Sequence, residues 1–111
     1  MTPEQVADAI ANELLTVHRE SWGAGAESAK AYVLEDAVVC FLDGLQLLPN
    51  EEFLVGEGNG DLVIDVRRRY QDVVGASFTA AVERATGRRV VHFMSDTSLE
   101  PPFSVEVFRL G

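Results

Sequence analysis

Between Asp61 and Thr86 the residues Leu62, Val66, Tyr70, Val73, Val74, Phe78, Ala81, Val82 and Ala85 recur at spacings of three and four. That period belongs to an α-helix with one apolar stripe. Asp61 sits at the positive end of the helix dipole, and Gly87 supplies a residue that turns left-handed at the end. At 1.5 Å per residue the helix is about 39 Å long. It therefore overhangs most short strands or packs on a second subunit. Gly75 in its middle costs about 1 kcal/mol against alanine, which points to a close crossing with another element.

A chain of 111 residues is one domain, 1–111, so the rest of it must cover that stripe. Thr2-Pro3-Glu4-Gln5 is a capping box followed by Val6, Ile10, Leu14 and Val17, predicting a helix over 3–21 that stops at Trp22-Gly23-Ala24-Gly25. Residues 28–43 read as a hairpin, "AKAYVL" and "AVVCFL" joined by Glu35-Asp36. The second strand is apolar on both faces, which suits a central or partner-covered strand. Leu48 to Phe53 forms a short helical turn, and "GEGNG" at 56–60 is a linker that lacks any phosphate-loop register. "RRVVHFMS" and "FSVEVFRL" form a second hairpin around the loop "DTSLEPP". In the last strand Phe103, Val105 and Val107 oppose Ser104, Glu106 and Phe108. The expected fold is α+β, order αββαββ, with a four-stranded, mainly antiparallel sheet covered by two helices.

His92, Ser95 and Asp96 carry the residue types of a hydrolase triad within five positions. Alternation places Val90, His92 and Met94 on one face and Val91, Phe93 and Ser95 on the other. Imidazole and hydroxyl therefore diverge. Ser95 also lacks the G-x-S-x-G elbow, and Ser95-Asp96-Thr97-Ser98 reads as a polar turn. No catalytic residue is expected. His18 and His92 stand far apart with no ligand spacing around them, so no metal and no cofactor are expected either. Cys40, the single cysteine, lies in an apolar strand as an inert thiol. Arg67-Arg68-Arg69 fan around a helix, and one of them falls near the core side, where it can reach a carboxylate. A small-anion site, for an ion such as bicarbonate, would draw on Arg67, Arg68, Ser95 and Asp96. Phe53, Tyr70 and Phe108 are candidate interface residues.

A net charge of −9 repels phosphate backbones and anionic lipid, which argues against a nucleic-acid partner. No run of 18 apolar residues spans a membrane, and the first ten residues carry no signal-peptide pattern. With a lone cysteine, these features favour the cytoplasm.

Four blocks in order give the chain a family resemblance: "GAGAESAKAYVLEDAVVCFLDGLQLLPNEE", "DVRRRY", "ATGRRVVHFMSDTS" and the closing apolar strand. Gly23 and Gly25, Ala31 and Tyr32, Pro49, Val66 to Arg68, Thr86 and Gly87, and Ser95 and Asp96 occupy its recurrent positions. The chain resembles the MpsC-like domains, small bacterial proteins mostly of unassigned function, and departs from them at "GEGNG". The resemblance implies a soluble accessory or regulatory protein beside a membrane system for cation and inorganic-carbon uptake. A membrane-transport protein is then the expected partner. Two covering helices leave apolar surface over, so a homodimer is the expected assembly.

Overall fold

The computed structural model describes residues 1–22 and 25–111; Gly23 and Ala24, with the glycine stop expected there, lie outside the described residues. The elements are α1 (Pro3–Trp22), β1 (Ser28–Val33), β2 (Ala37–Asp43), α2 (Pro49–Gly56), α3 (Gly60–Thr86), β3 (Val90–Leu99) and β4 (Pro102–Leu110). The fold is α+β, as expected, and its sheet is antiparallel throughout in the order β1-β2-β4-β3. β2, apolar on both faces, is accordingly central.

Local chemistry accounts for the boundaries. Thr2 and Gln5 exchange two hydrogen bonds at the start of α1, the Gln5 amide donating to Thr2 Oγ1 at 3.1 Å and the Thr2 amide to Gln5 Oε1 at 2.9 Å. Pro49 opens α2, and Glu51 accepts the Leu48 amide at 2.9 Å. The helical turn expected over Leu48 to Phe53 extends to Gly56, so the glycine segment 56–60 contracts to a bend of three residues before Gly60 opens α3. Gly87 ends α3 at φ 69°.

Both long helices lie on one face of the sheet, α1 against β1 and α3 against β3, and α2 packs on α3. Ile10, Leu14, Val38, Leu42, Phe78, Ala81, Val82 and Phe108 fill the space between. Phe78, Phe93 and Phe108 pack in series, with ring centres 6.3 and 5.1 Å apart. Gly75 is the close crossing its position demanded: a Cβ there would sit 2.7 Å from the Phe93 ring.

Three expectations require correction. Residues Ser95 to Ser98 are strand, not turn: β3 runs on to Leu99, and Pro102 already pairs with it. Alternation with β4 gives these polar side chains a place on each face, so no turn is needed to satisfy them. A bulge between Val90 and His92 also moves Val90 onto the core side with Phe93, although His92 and Ser95 still face opposite ways. The α3 stripe is the second correction. Its C-terminal half is buried as expected, whereas Leu62, Val66, Tyr70 and Val73 are exposed and Val63, Arg67 and Gln71 turn inward. The third is Phe108, which is wholly buried and meets no partner surface. The face it shares with Ser104, Glu106 and Leu110 is the one the helices cover.

Candidate functional site

One end of the interior is polar. Where the N-terminal half of α3 crosses the sheet, His18 and Trp22 of α1, Glu51 of α2, Arg67 and Gln71 of α3, Ser95 and Thr97 of β3, and Ser104 and Glu106 of β4 point inward. Arg67 and Gln71 are one turn apart on the same helix face. Across the sheet, Ala31, Cys40, Glu106 and Ser95 form one inward row, and Ala29, Leu42, Ser104 and Thr97 form the next. Strand alternation that seats Phe108 in the apolar core thus delivers Glu106 to the polar end.

Arg67 organises one side of this cluster. Its Nε and Nη2 each donate to Glu51 at 2.7 Å, a bidentate pair with both side chains almost wholly buried. The guanidinium also lies 4.5 Å from the centre of the Trp22 ring, and Trp22 packs on Tyr70 at 4.3 Å. Tyr70 donates its hydroxyl to the Ser21 carbonyl at 2.9 Å, tying α1 to α3. Burial alone would raise Glu51, but hydrogen bonds from Arg67 and the Leu48 amide outweigh it and hold the carboxyl below its usual range. His18 lies alongside. Burial, with the Arg67 charge, lowers its imidazole to about 4, so it is neutral near pH 7.

Glu106 is the other pole. It is 0% exposed, and among the described residues no guanidinium or ammonium bonds to it. Gln71 donates its amide to Oε1 at 2.9 Å and Ser104 its hydroxyl at 3.3 Å. Burial pushes the carboxyl up to about 8, against the pull of the nearby Ser95 and Ser104 hydroxyls. Gln71 Oε1 is buried without a hydrogen-bond partner. A buried polar group in that condition costs about 1–3 kcal/mol.

The residues singled out from sequence are distributed over this frame. Arg68 and Asp96 meet, in an exposed bridge of 2.8 Å, and the hydrogen bond holds Asp96 below its ordinary value. Arg67 is in the interior with Glu51, and Ser95 faces Glu106. The four thus form three separate contacts, and both guanidinium groups already hold carboxylates. Arg69 pairs with Asp65 at 3.3 Å, so each arginine of the run has its acid. Phe53 is exposed on α2 and Tyr70 is partly so.

His18, Trp22, Glu51, Gln71 and Glu106 were not singled out from sequence. One signal was present. Arg67, Gln71, Gly75, Phe78 and Val82 also follow helical spacing, offset by one residue from the stripe through Val66 and Tyr70. Close packing at Gly75 chooses between those two faces.

Among the described residues no helix packs on the far face of the sheet. Its rows are Tyr32, Val39, Val107 and Met94, then Lys30, Phe41, Val105 and Asp96, with Phe103 beyond. Tyr32, Phe41 and Phe103 stack at about 6 Å, with ring centres 6.2 and 6.1 Å apart. Among the described residues no helix is long and apolar enough to cross a membrane. A family model described as "Na+-translocating membrane potential-generating system (MpsC)" matches residues 2–111. No curated protein and no solved structure matches the chain.

Proposed function

The chain belongs to the MpsC family, and from that premise we propose that it is a non-enzymatic accessory domain acting by protein–protein contact in the cytoplasm. The family's description names a Na+-translocating membrane potential-generating system, and that name supports this reading. In this reading ions cross through a separate membrane-transport protein, and the domain docks to that component.

One observation carries the proposal: the uncovered sheet face is apolar at its centre and not acidic. Its central residues Val39, Phe41, Phe103, Val105 and Val107 stand side by side, half-buried, on the face away from the helices. An apolar centre rimmed by polar residues is the form of a docking surface. Lys30, Arg109 and Asp43 surround Val39, Phe41, Phe103, Val105 and Val107, and Asp96 at the edge is already bridged to Arg68. The face therefore carries no net negative charge on a chain of net charge −9. A second copy can meet it without the repulsion that the rest of the surface would impose, so the domain pairs sheet to sheet as a homodimer. Phe53 and the exposed α3 residues Leu62, Val66 and Val73 stay on the outer side for the membrane component.

A non-enzymatic role is supported by the divergence of His92 from Ser95 and by the Cys40 thiol, which burial pushes up to about 12. Analytical ultracentrifugation tests the docking face. Wild type is expected to sediment at twice 12.1 kDa and Val105→Glu at 12.1 kDa, with unchanged circular dichroism. Equal masses for the two would overturn the assignment of this face. Crosslinking in cells tests the accessory role, and recovery of the chain with no membrane protein attached would refute it.

A further inference from the structure

The two outer strands of the sheet, β3 and β1, differ in how their free edges are treated. The β3 edge is guarded. Its Val90 amide donates to Glu83 Oε2 at 2.9 Å and its Thr97 amide to Asp96 Oδ1 at 2.8 Å, and a bulge breaks the register between Val90 and His92. β1 has none of these protections. Its register with β2 runs unbroken from Ser28 to Val33, and it contains no proline. The Leu34 amide donates to the Ala37 carbonyl at 2.8 Å, so by antiparallel alternation Tyr32 and Lys30 also bond toward β2. The amides and carbonyls of Ala29, Ala31 and Val33 therefore point away from the sheet. Among the described residues no other group bonds to them.

A groove of about 340 Å³ lies beside this open edge. Glu4, Ala7, Asp8 and Ala11, three and four apart on one face of α1, form one wall, and Ala29 to Ala31 of β1 form the other. The space exists because both walls carry methyl groups where longer side chains would fill it.

We propose that the α1–β1 groove binds an extended peptide segment of a partner protein, which adds to β1 as a fifth strand. The site lies apart from the uncovered sheet face and does not depend on how copies pair. Unpaired main-chain groups call for a strand, because another extended backbone supplies donors and acceptors at their spacing. Every second side chain of the guest then faces the groove, where the alanines leave room for branched apolar groups. Glu4 and Asp8 are exposed and belong to none of the ion pairs among the described residues. Pro3 and Val6 stand by Val33 and Leu34, so Glu4 lies toward the Val33 end of β1, with Asp8 one turn further along. A guest antiparallel to β1 brings its amino-terminal side to that end. A basic residue there meets the two carboxylates.

Fluorescence anisotropy tests the site with one probe, a capped and fluorescein-tagged octapeptide that alternates valine with threonine and has lysine in place of its first valine. Wild type is expected to bind it, and N-methylation of the remaining valines, whose amides face β1, to weaken binding by more than about tenfold. Asp8→Lys should weaken binding about threefold, and less at high salt. Hydrogen exchange followed by NMR locates the contact: the peptide should slow the Ala29, Ala31 and Val33 amides and leave those of β3 unchanged. Equal affinity for the N-methylated peptide, protection of β3 in place of β1, or no binding at about 1 mM protein overturns the proposal. Ala31→Pro removes one outward donor and spares the ladder to β2, so it should lower affinity with unchanged circular dichroism. A folded Ala31→Pro with wild-type affinity overturns the proposal. So does a wild-type dimer that falls to 12.1 kDa in Ala31→Pro, because a second copy would then occupy this edge.

Discussion

Glu106 and His18 depart from their ordinary protonation in opposite senses, and the chain's stability follows the difference. Burial raises Glu106 from 4.5 to about 8, so between those values the folded chain keeps a proton that the unfolded chain has released. Stability contributed this way is complete below 4.5 and is lost as pH climbs toward 8, by at most about 1.4 kcal/mol per pH unit. His18 is lowered from 6.5 to about 4, first by burial and then by the Arg67 charge. Its contribution is complete above 6.5 and is lost as pH falls toward 4. The two slopes oppose each other between 4.5 and 6.5, and only the Glu106 slope remains from 6.5 to 8. Urea midpoints should therefore be level in the first interval and decline in the second. Glu106→Gln should remove the decline, and an unchanged profile in that variant would refute the assignment.

At the scale of elements, α3 determines which residues reach the polar interior, and Gly75 determines the rotation of α3. Alanine has the higher helix propensity by about 1 kcal/mol, yet its Cβ would sit 2.7 Å from the Phe93 ring. That ring packs against both Phe78 and Phe108, so moving it disturbs the aromatic series. Gly75→Ala is expected to destabilise by about 1–3 kcal/mol, and Phe93→Leu to relieve part of that loss in a double-mutant cycle. Additive effects would show that the two residues do not press on each other. This crossing also marks the limit of what sequence alone conveyed. Capping at Thr2 and Gln5, the left-handed stop at Gly87 and alternation in β4 are local, and each was legible. The N-terminal half of α3 offered two helical faces, one through Val66 and Tyr70 and one through Arg67 and Gln71. Hydrophobicity favours the first, whereas contact with a strand more than fifteen residues away enforces the second. The same long-range pairing explains β3, where Ser95, Asp96, Thr97 and Ser98 have turn chemistry but are held extended by β4. Glu106 was invisible as a site for a related reason. Its row is completed by Cys40 and Ser95, and only the register of three strands brings those residues together.

The whole molecule joins one apolar, non-acidic sheet face to an otherwise acidic surface, and this arrangement predicts how the proposed pairing responds to salt. Each copy carries a net charge of −9, so two copies repel at long range even though the faces that would meet are not acidic. Exposed charges separated by more than about 10 Å are largely screened at 0.1 M salt, whereas apolar contact is not weakened by it. Dimerisation should therefore tighten as salt rises from low to moderate strength. An interface built on exposed ion pairs would loosen instead. Sedimentation equilibrium over a series of sodium chloride concentrations measures this effect. A dissociation constant that rises with salt would show that charge, and not the face centred on Phe41, Val105 and Val107, holds the copies together. The shape of the protomer sharpens the distinction. At 46 × 23 × 21 Å it is elongated, and sheet-to-sheet pairing thickens it along a short axis. The dimer's longest dimension in small-angle scattering should then remain close to that of the monomeric Val105→Glu variant, while end-to-end pairing would nearly double it.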